Sequence, residues 1–183
     1  SVDFPDFRGY AGRIAGGIFR PGDTITVLPS GLTSKIKNIY KNNELLDEAF
    51  VGMSIVITLE DEIDISRGDM IVKSNNLPTV TQNITAMICW LNDSPIKPNT
   101  KYIIKQTTNE QKAIIKEVFY KVDIDTFKRN EEDKEITMNT ICKIQLRTSL
   151  PLIVDSYSKN RNTGSFILID TATNETVAAG MIV

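Results

Sequence analysis

No stretch of this chain repeats apolar residues at the three- and four-residue spacing of an amphipathic helix, and that absence limits the fold more than any other feature. Apolar residues recur instead in short runs broken by glycine, proline or asparagine. Lys35-Ile36-Lys37-Asn38-Ile39-Tyr40 reads as an alternating, half-buried strand, and Ser54 to Leu59 as a β-branched one. Ile84 to Leu91 is a nearly unbroken apolar strand. Lys112 to Thr126 keeps a two-residue period through Ile114, Lys116, Val118, Tyr120, Val122 and Ile124. Thr140 to Leu146 sets Ile141 and Lys143 against Cys142, Ile144 and Leu146, and Pro151 closes that run. Strands at regular spacing with turn punctuation fold as barrels or sandwiches. The expected fold class is all-β, as two consecutive β-barrels. The break Ser74-Asn75-Asn76-Leu77-Pro78 divides them, giving one barrel over 1–76, a linker over 77–81 and a second barrel over 82–183. Each would own a core and close most of its edges.

The richest local signal is the stretch Asp6 to Asp23, DFRGYAGRIAGGIFRPGD. Glycines at 9, 12, 16, 17 and 22 separate apolar residues at near-alternate positions, Tyr10, Ile14, Ile18 and Phe19. That is an extended chain that bends repeatedly, because glycine takes positive φ without steric cost. Pro21-Gly22-Asp23 makes a tight turn before the strand Thr24 to Leu28, so the stretch reads as a barrel-opening hairpin. It is not a phosphate cradle. Arg13-Ile14-Ala15-Gly16-Gly17 lacks the Lys-Ser/Thr pair of a P-loop and the helix that the loop should open. Glu44 to Phe50 reads as one helical turn or a loop, and Lys128 to Glu135 as a solvated hairpin loop.

Composition removes whole classes of function. Twenty-one basic and 23 acidic residues leave a net charge of −2, which opposes a dedicated nucleic-acid surface. The chain has no histidine, which removes His acid–base chemistry, Ser-His and Cys-His nucleophile pairs and His metal ligation together. Cys89 and Cys142 sit inside apolar runs and read as buried, reduced thiols, with a disulfide between them as the alternative, and they lack the spacing of a zinc site. No apolar run reaches membrane-spanning length and no signal peptide opens the chain, so the cytoplasm is the expected compartment. Ser1-Val2-Asp3-Phe4-Pro5, without an initiator Met, suggests a piece of a longer protein.

Several polar groups invite a functional reading. Alternation would put Glu60, Glu62 and Asp64 on one face of an extended chain, which makes an acidic edge rather than the curled oxygen cage that Ca²⁺ needs. Arg67-Gly68-Asp69 is expected to be a turn. The sequons at Asn83, Asn92 and Asn174 carry no weight without secretion. Lys159-Asn160-Arg161-Asn162-Thr163-Gly164 reads as a solvated loop or as a docking loop in which Arg161 clamps a carboxylate. Trp90 is expected in a core, with an interface anchor as the alternative.

Three segments carry a resemblance. RGYAGRIAGGIFRPGD at 8–23 resembles the opening of the second domain of translation-factor-like GTPases, the elongation factor Tu group. With LEDEIDISRGD at 59–69 and KNRNTGSFILIDTATNETVAAGMI at 159–182, nearly the whole chain resembles the family of sulfate adenylyltransferase subunit 1, the large GTPase subunits of bacterial ATP sulfurylase. The resemblance implies two barrels like domains 2 and 3 of elongation factor Tu. It places the GTP and Mg site in an N-terminal GTPase domain outside this sequence, and adenylyl transfer from ATP to sulfate in a separate small subunit. This chain alone would then be inactive, with no catalytic, cofactor or metal residues. Its implied partners in sulfate assimilation are the small catalytic subunit and the GTPase domain in cis, with no nucleic acid and no membrane. Arg8, Arg67, Arg161 and Asn162 are the candidate contacts to another domain or partner, with structural pairing as the alternative for Arg8. The alternative is a translation-factor barrel pair contacting tRNA or ribosomal RNA, which needs a basic surface and a steep salt dependence.

Overall fold

The computed structural model describes residues 8–75, 77–97 and 99–183. The start at Ser1 to Pro5, the first two residues of the glycine-rich stretch, Asn76 of the break and Pro98 of an expected turn lie outside the described residues. Among the described residues every regular element is a strand, and no helix is long and apolar enough to cross a membrane. The chain divides into two units, one ending at Leu77 and the next beginning at Pro78.

The first unit holds β1 (Tyr10–Arg13), β2 (Ile18–Phe19), β3 (Thr24–Leu28), β4 (Thr33–Lys41), β5 (Glu44–Leu46), β6 (Ala49–Phe50), β7 (Ser54–Leu59) and β8 (Met70–Lys73). Its sheet runs β1-β7-β4-β3-β8, with β5 on β4, and β2 pairs β6 separately. Ile14, Ile25, Val27, Ile36, Ile39, Ala49, Ile55 and Ile57 form its core.

Three expectations for this unit are corrected. The opening stretch is not a hairpin, because β1 pairs β7 and β2 pairs β6. Ile14 carries the chain across: its N–H donates to Met53 O and its C=O accepts from Gly52 N–H, both at 2.9 Å. Glu44 to Phe50 is two short strands rather than a helical turn. Asn42 and Asn43 take φ of 50° and 67°, which is the two-residue hairpin turn that asparagine tolerates, and they fold β5 back onto β4. The alternation of β4 breaks at a bulge between Ile36 and Asn38, so Ile39 rather than Asn38 follows Ile36 into the core.

Two turns of one construction brace this unit. In Arg20-Pro21-Gly22-Asp23 the Asp23 N–H donates to Arg20 O at 3.1 Å, and the Arg20 N–H donates to Asp23 Oδ2 at 2.8 Å. Ser66-Arg67-Gly68-Asp69 repeats both bonds at 3.1 and 2.8 Å. Gly22 and Gly68 sit at φ of 88° and 97°, as the third residue of such a turn requires. Partial burial pushes the Asp23 carboxyl up, but Lys73 Nζ at 2.7 Å and the Arg20 N–H outweigh it and hold the group below its ordinary range.

The second unit holds β9 (Thr79–Trp90), β10 (Lys101–Gln106), β11 (Asn109–Val122), β12 (Arg129–Asn130), β13 (Ile141–Val154), β14 (Ser165–Asp170) and β15 (Thr176–Ile182). The order β10-β14-β15-β9-β13-β11 closes on itself because β10 also pairs β11, giving a six-stranded barrel with β12 appended to β11. β9 reaches back over Thr79 to Thr81, assigned above to a linker, because those residues pair with Val154, Ile153 and Leu152. Pro151 does not close β13. It sits in a register break between Arg147 and Leu152, where its missing N–H costs no ladder bond. Part of the charged 128–135 segment is strand, with Arg129 and Asn130 opposite Val122 and Lys121. Trp90 is 2% exposed, donates from Nε1 to Ser94 O at 2.8 Å and meets the Tyr102 ring edge-on at 5.9 Å between centroids.

Candidate functional site

Arg8 belongs to a latch within the first unit. Its Nη2 donates to Asp64 Oδ1 at 2.7 Å, and the guanidinium carbon lies 5.9 Å from the Tyr10 ring centre. The Tyr10 hydroxyl donates to the neighbouring Ile63 O. The acidic run does not stay extended: β7 ends at Leu59 and the chain bends at Glu60 and Asp61. Asp61 turns to Ser34, accepting from its Oγ at 2.8 Å. The expected alternation nevertheless holds beyond the strand: Glu60, Glu62 and Asp64 stay exposed, while Ile63 and Ile65 pack against the core. Among the described residues no group of three or more Asp, Glu, Cys or His side chains gathers as a metal site. Arg67 rides exposed on the tip of its turn. A shallow groove of about 460 Å³ lies along Ala11, Gly12, Tyr40, Lys41 and Ser54 to Val56, and its lining holds no carboxylate.

Arg161 and Asn162 share one loop of the second unit, and that loop is built rather than loosely solvated. Asn160 and Gly164 N–H groups donate to Ser156 O and Asn160 O at 3.0 and 2.8 Å. The Asn160 side-chain oxygen accepts from Asn162 N–H at 3.0 Å and Thr163 N–H at 3.3 Å. Below it, the buried Gln106 amide donates to Ile153 O at 2.8 Å and to Thr163 O at 2.7 Å, tying the loop to β10 and β13. Arg161 stays exposed, its guanidinium carbon 5.9 Å from the Tyr157 ring centre. The loop thus presents a cation on a fixed base.

The structure adds a surface that the sequence-based list missed. β9 points Ile84, Ala86, Ile88 and Trp90 into the barrel, which leaves Thr85, Met87 and Cys89 on the outside, half-buried. Register then defines two rows across the outer face. One is Tyr120, Lys143, Met87, Met181 and Ser165; the other is Val122, Ile141, Cys89, Ala179 and Ile167. Tyr120 lies across its row, its hydroxyl 4.0 Å from the Met87 sulfur, and Arg129 stacks on its ring at 4.8 Å. Met181 is 44% exposed. Cys142 faces the core beside Ile88, and burial pushes its thiol up to about 12, so it is inert. Both cysteines are free thiols. The signal for this face was legible: a strand apolar at consecutive positions has two faces to cover, not one.

Comparison with known proteins follows from the closed barrel. Residues 83–183 match the family described as GTP-eEF1A C-terminal domain-like. The chain belongs to that family. Relatives of this GTP-eEF1A-type chain include sulfate adenylyltransferase subunit 1 of Sulfurovum sp. (strain NBC37-1), 46% identical over 97% of the chain and 39% of that protein. The subunit 1 of Bacteroides thetaiotaomicron is 45% identical over 97% of the chain and 38% of the relative. The bifunctional enzyme CysN/CysC of Mycobacterium tuberculosis is 42% identical over 100% of the chain and 30% of the relative. The chain therefore spans well under half the length of these relatives. A crystal structure of sup35 complexed with GDP superposes with a TM-score of 0.82 at 20% identity, covering 96% of the chain and 43% of that protein, a likeness of fold. The resemblance to sulfate adenylyltransferase subunit 1 and the all-β fold expected from the sequence both hold.

Proposed function

We propose that the chain is the non-catalytic two-barrel part of a GTP-dependent regulatory subunit of sulfate adenylyltransferase. The observation that carries this reading is 46% identity to a named subunit 1 across 97% of the chain. In this reading GTP and Mg bind a GTPase domain beyond this sequence, and adenylyl sulfate forms from ATP and sulfate on a small subunit. The barrels couple the two sites by differing in contact energy between the GTP and GDP states, since coupling requires such a difference. The absence of histidine and of a P-loop string supports a scaffold rather than a centre of chemistry. Arg8, Arg67, Arg161 and Asn162 remain candidates for contacts to those partners, with Arg161 the best placed, on a braced loop.

Two measurements test it. Calorimetry of the chain with GTP should show no heat of binding; micromolar affinity would overturn the non-catalytic assignment. Co-purification with the small subunit of sulfate adenylyltransferase should recover a complex.

A further inference from the structure

We infer that the outer face of the second barrel, centred on Met87, Met181, Lys143 and Tyr120, is the seat of the companion small subunit, which meets it with carboxylates. The inference rests on the function proposed above and adds where the partner binds and with what chemistry.

The face is apolar where a solvated sheet face should be polar. Antiparallel sheets with one wet side alternate apolar inside with polar outside. Here the outside rows hold Met87, Met181, Ile141, Cys89 and Tyr120, contiguous across β9, β15, β13 and β11. Methionine and tyrosine are the residues that adaptable and tight protein interfaces favour at their centres.

Charge then selects the occupant. Lys143 lies half-buried between Tyr120 and Met87 in the register, and among the described residues no carboxylate forms an ion pair with it. Arg129, on the Tyr120 ring, likewise has no carboxylate among those pairs. The two rows hold no acidic residue. A second copy of the chain offers no carboxylate from either row to meet these cations. A partner with a carboxylate opposite Lys143, which is already half removed from water, and another opposite the exposed Arg129 would gain charge-assisted bonds. The Tyr120 hydroxyl, which among the described residues meets the weak Met87 sulfur acceptor at 4.0 Å, has a donor to give as well.

Cys89 is a built-in reporter. It stands in the second row beside Ile141 and Ala179, half-exposed, while the other thiol is sealed in the core. The test uses the full chain and the purified small subunit. Saturating small subunit should slow alkylation of Cys89 by N-ethylmaleimide at least tenfold. Lys143→Glu and Met181→Asp should each weaken the complex at least tenfold. Leu45→Asp, at a 63% exposed position of the first unit, should leave it unchanged. Both test positions face outward, so thermal unfolding should stay close to that of the parent chain. A complex that leaves Cys89 unprotected, or that survives both face variants, overturns the placement and spares the proposed function. No complex at all overturns both.

Discussion

Gly164 shows how one missing atom can set a loop. A Cβ built there would stand 2.5 Å from Tyr157 Cα and 2.6 Å from Asn160 O, both backbone atoms that cannot swing aside. The glycine lets the 156–164 loop fold tightly enough that Gly164 N–H reaches Asn160 O and its C=O takes the Ile182 N–H, each at 2.8 Å. Gly164→Ala should cost about 2–3 kcal/mol, the range of an overpacked site that cannot relax. Gly12→Ala, with nothing within 4 Å of the added carbon, should cost well under half as much. Thermal or urea unfolding of the two variants measures the contrast, and equal losses would show that the loop yields. The sequence marked this glycine only as the last residue of a polar loop. Its reason was not legible, because the crowding atoms come from a turn whose path depends on Asn160, Thr163 and the buried Gln106 together. Trp90 is the opposite case: of the two places open to a lone tryptophan in an apolar run, core or interface, it takes the favoured core.

Elements were readable where their signal was local. Strand runs, the Pro21-Gly22 turn and the Arg67-Gly68 turn follow from side-chain period and from which residues accept positive φ. The bulge in β4 and the partner exchange of β1 and β2 were not readable, since both depend on strands more than 15 positions away. The hairpin that closes the second barrel exposes a local conflict. Gln106 and Asn109 face each other across a two-residue turn, and Thr107 holds φ of 52° in it. A β-branched residue in the left-handed region is strained by about 1–3 kcal/mol. Thr107→Gly removes that strain and loses about 0.4–1 kcal/mol through the looser unfolded chain. Strain relief is the larger effect, so the variant should be about 1 kcal/mol more stable, raising Tm by about 4 °C. A lower Tm would mean that the barrel does not hold Thr107 against its preference.

At the scale of the molecule the two units differ in how they end their sheets. The second closes: β10 bonds both β14 and β11, so its six main strands have partners on both sides. In the first, among the described residues, β1 and β8 each have one partner, and an unpaired strand edge leaves backbone groups to water. The second also owns a continuous core, from Ile84 on β9 through Leu146 on β13 to Leu168 on β14. Closure and a private core make autonomy the expectation for it, while the first has more to gain from a neighbour. The segment between β8 and β9 contains Leu77, 52% exposed, and begins and ends outside both sheets. Limited proteolysis of the whole chain should cut there first, between Lys73 and Thr79, and leave the second unit resistant. That product should unfold in one cooperative transition with a melting temperature within a few degrees of its transition in the intact chain. The first unit should be digested further, from its β1 or β8 edge. If the second unit were degraded as fast as the first, or unfolded without cooperativity once released, its closed hydrogen-bond circuit would not be enough to hold it, and its stability would have to come from contacts outside its own barrel.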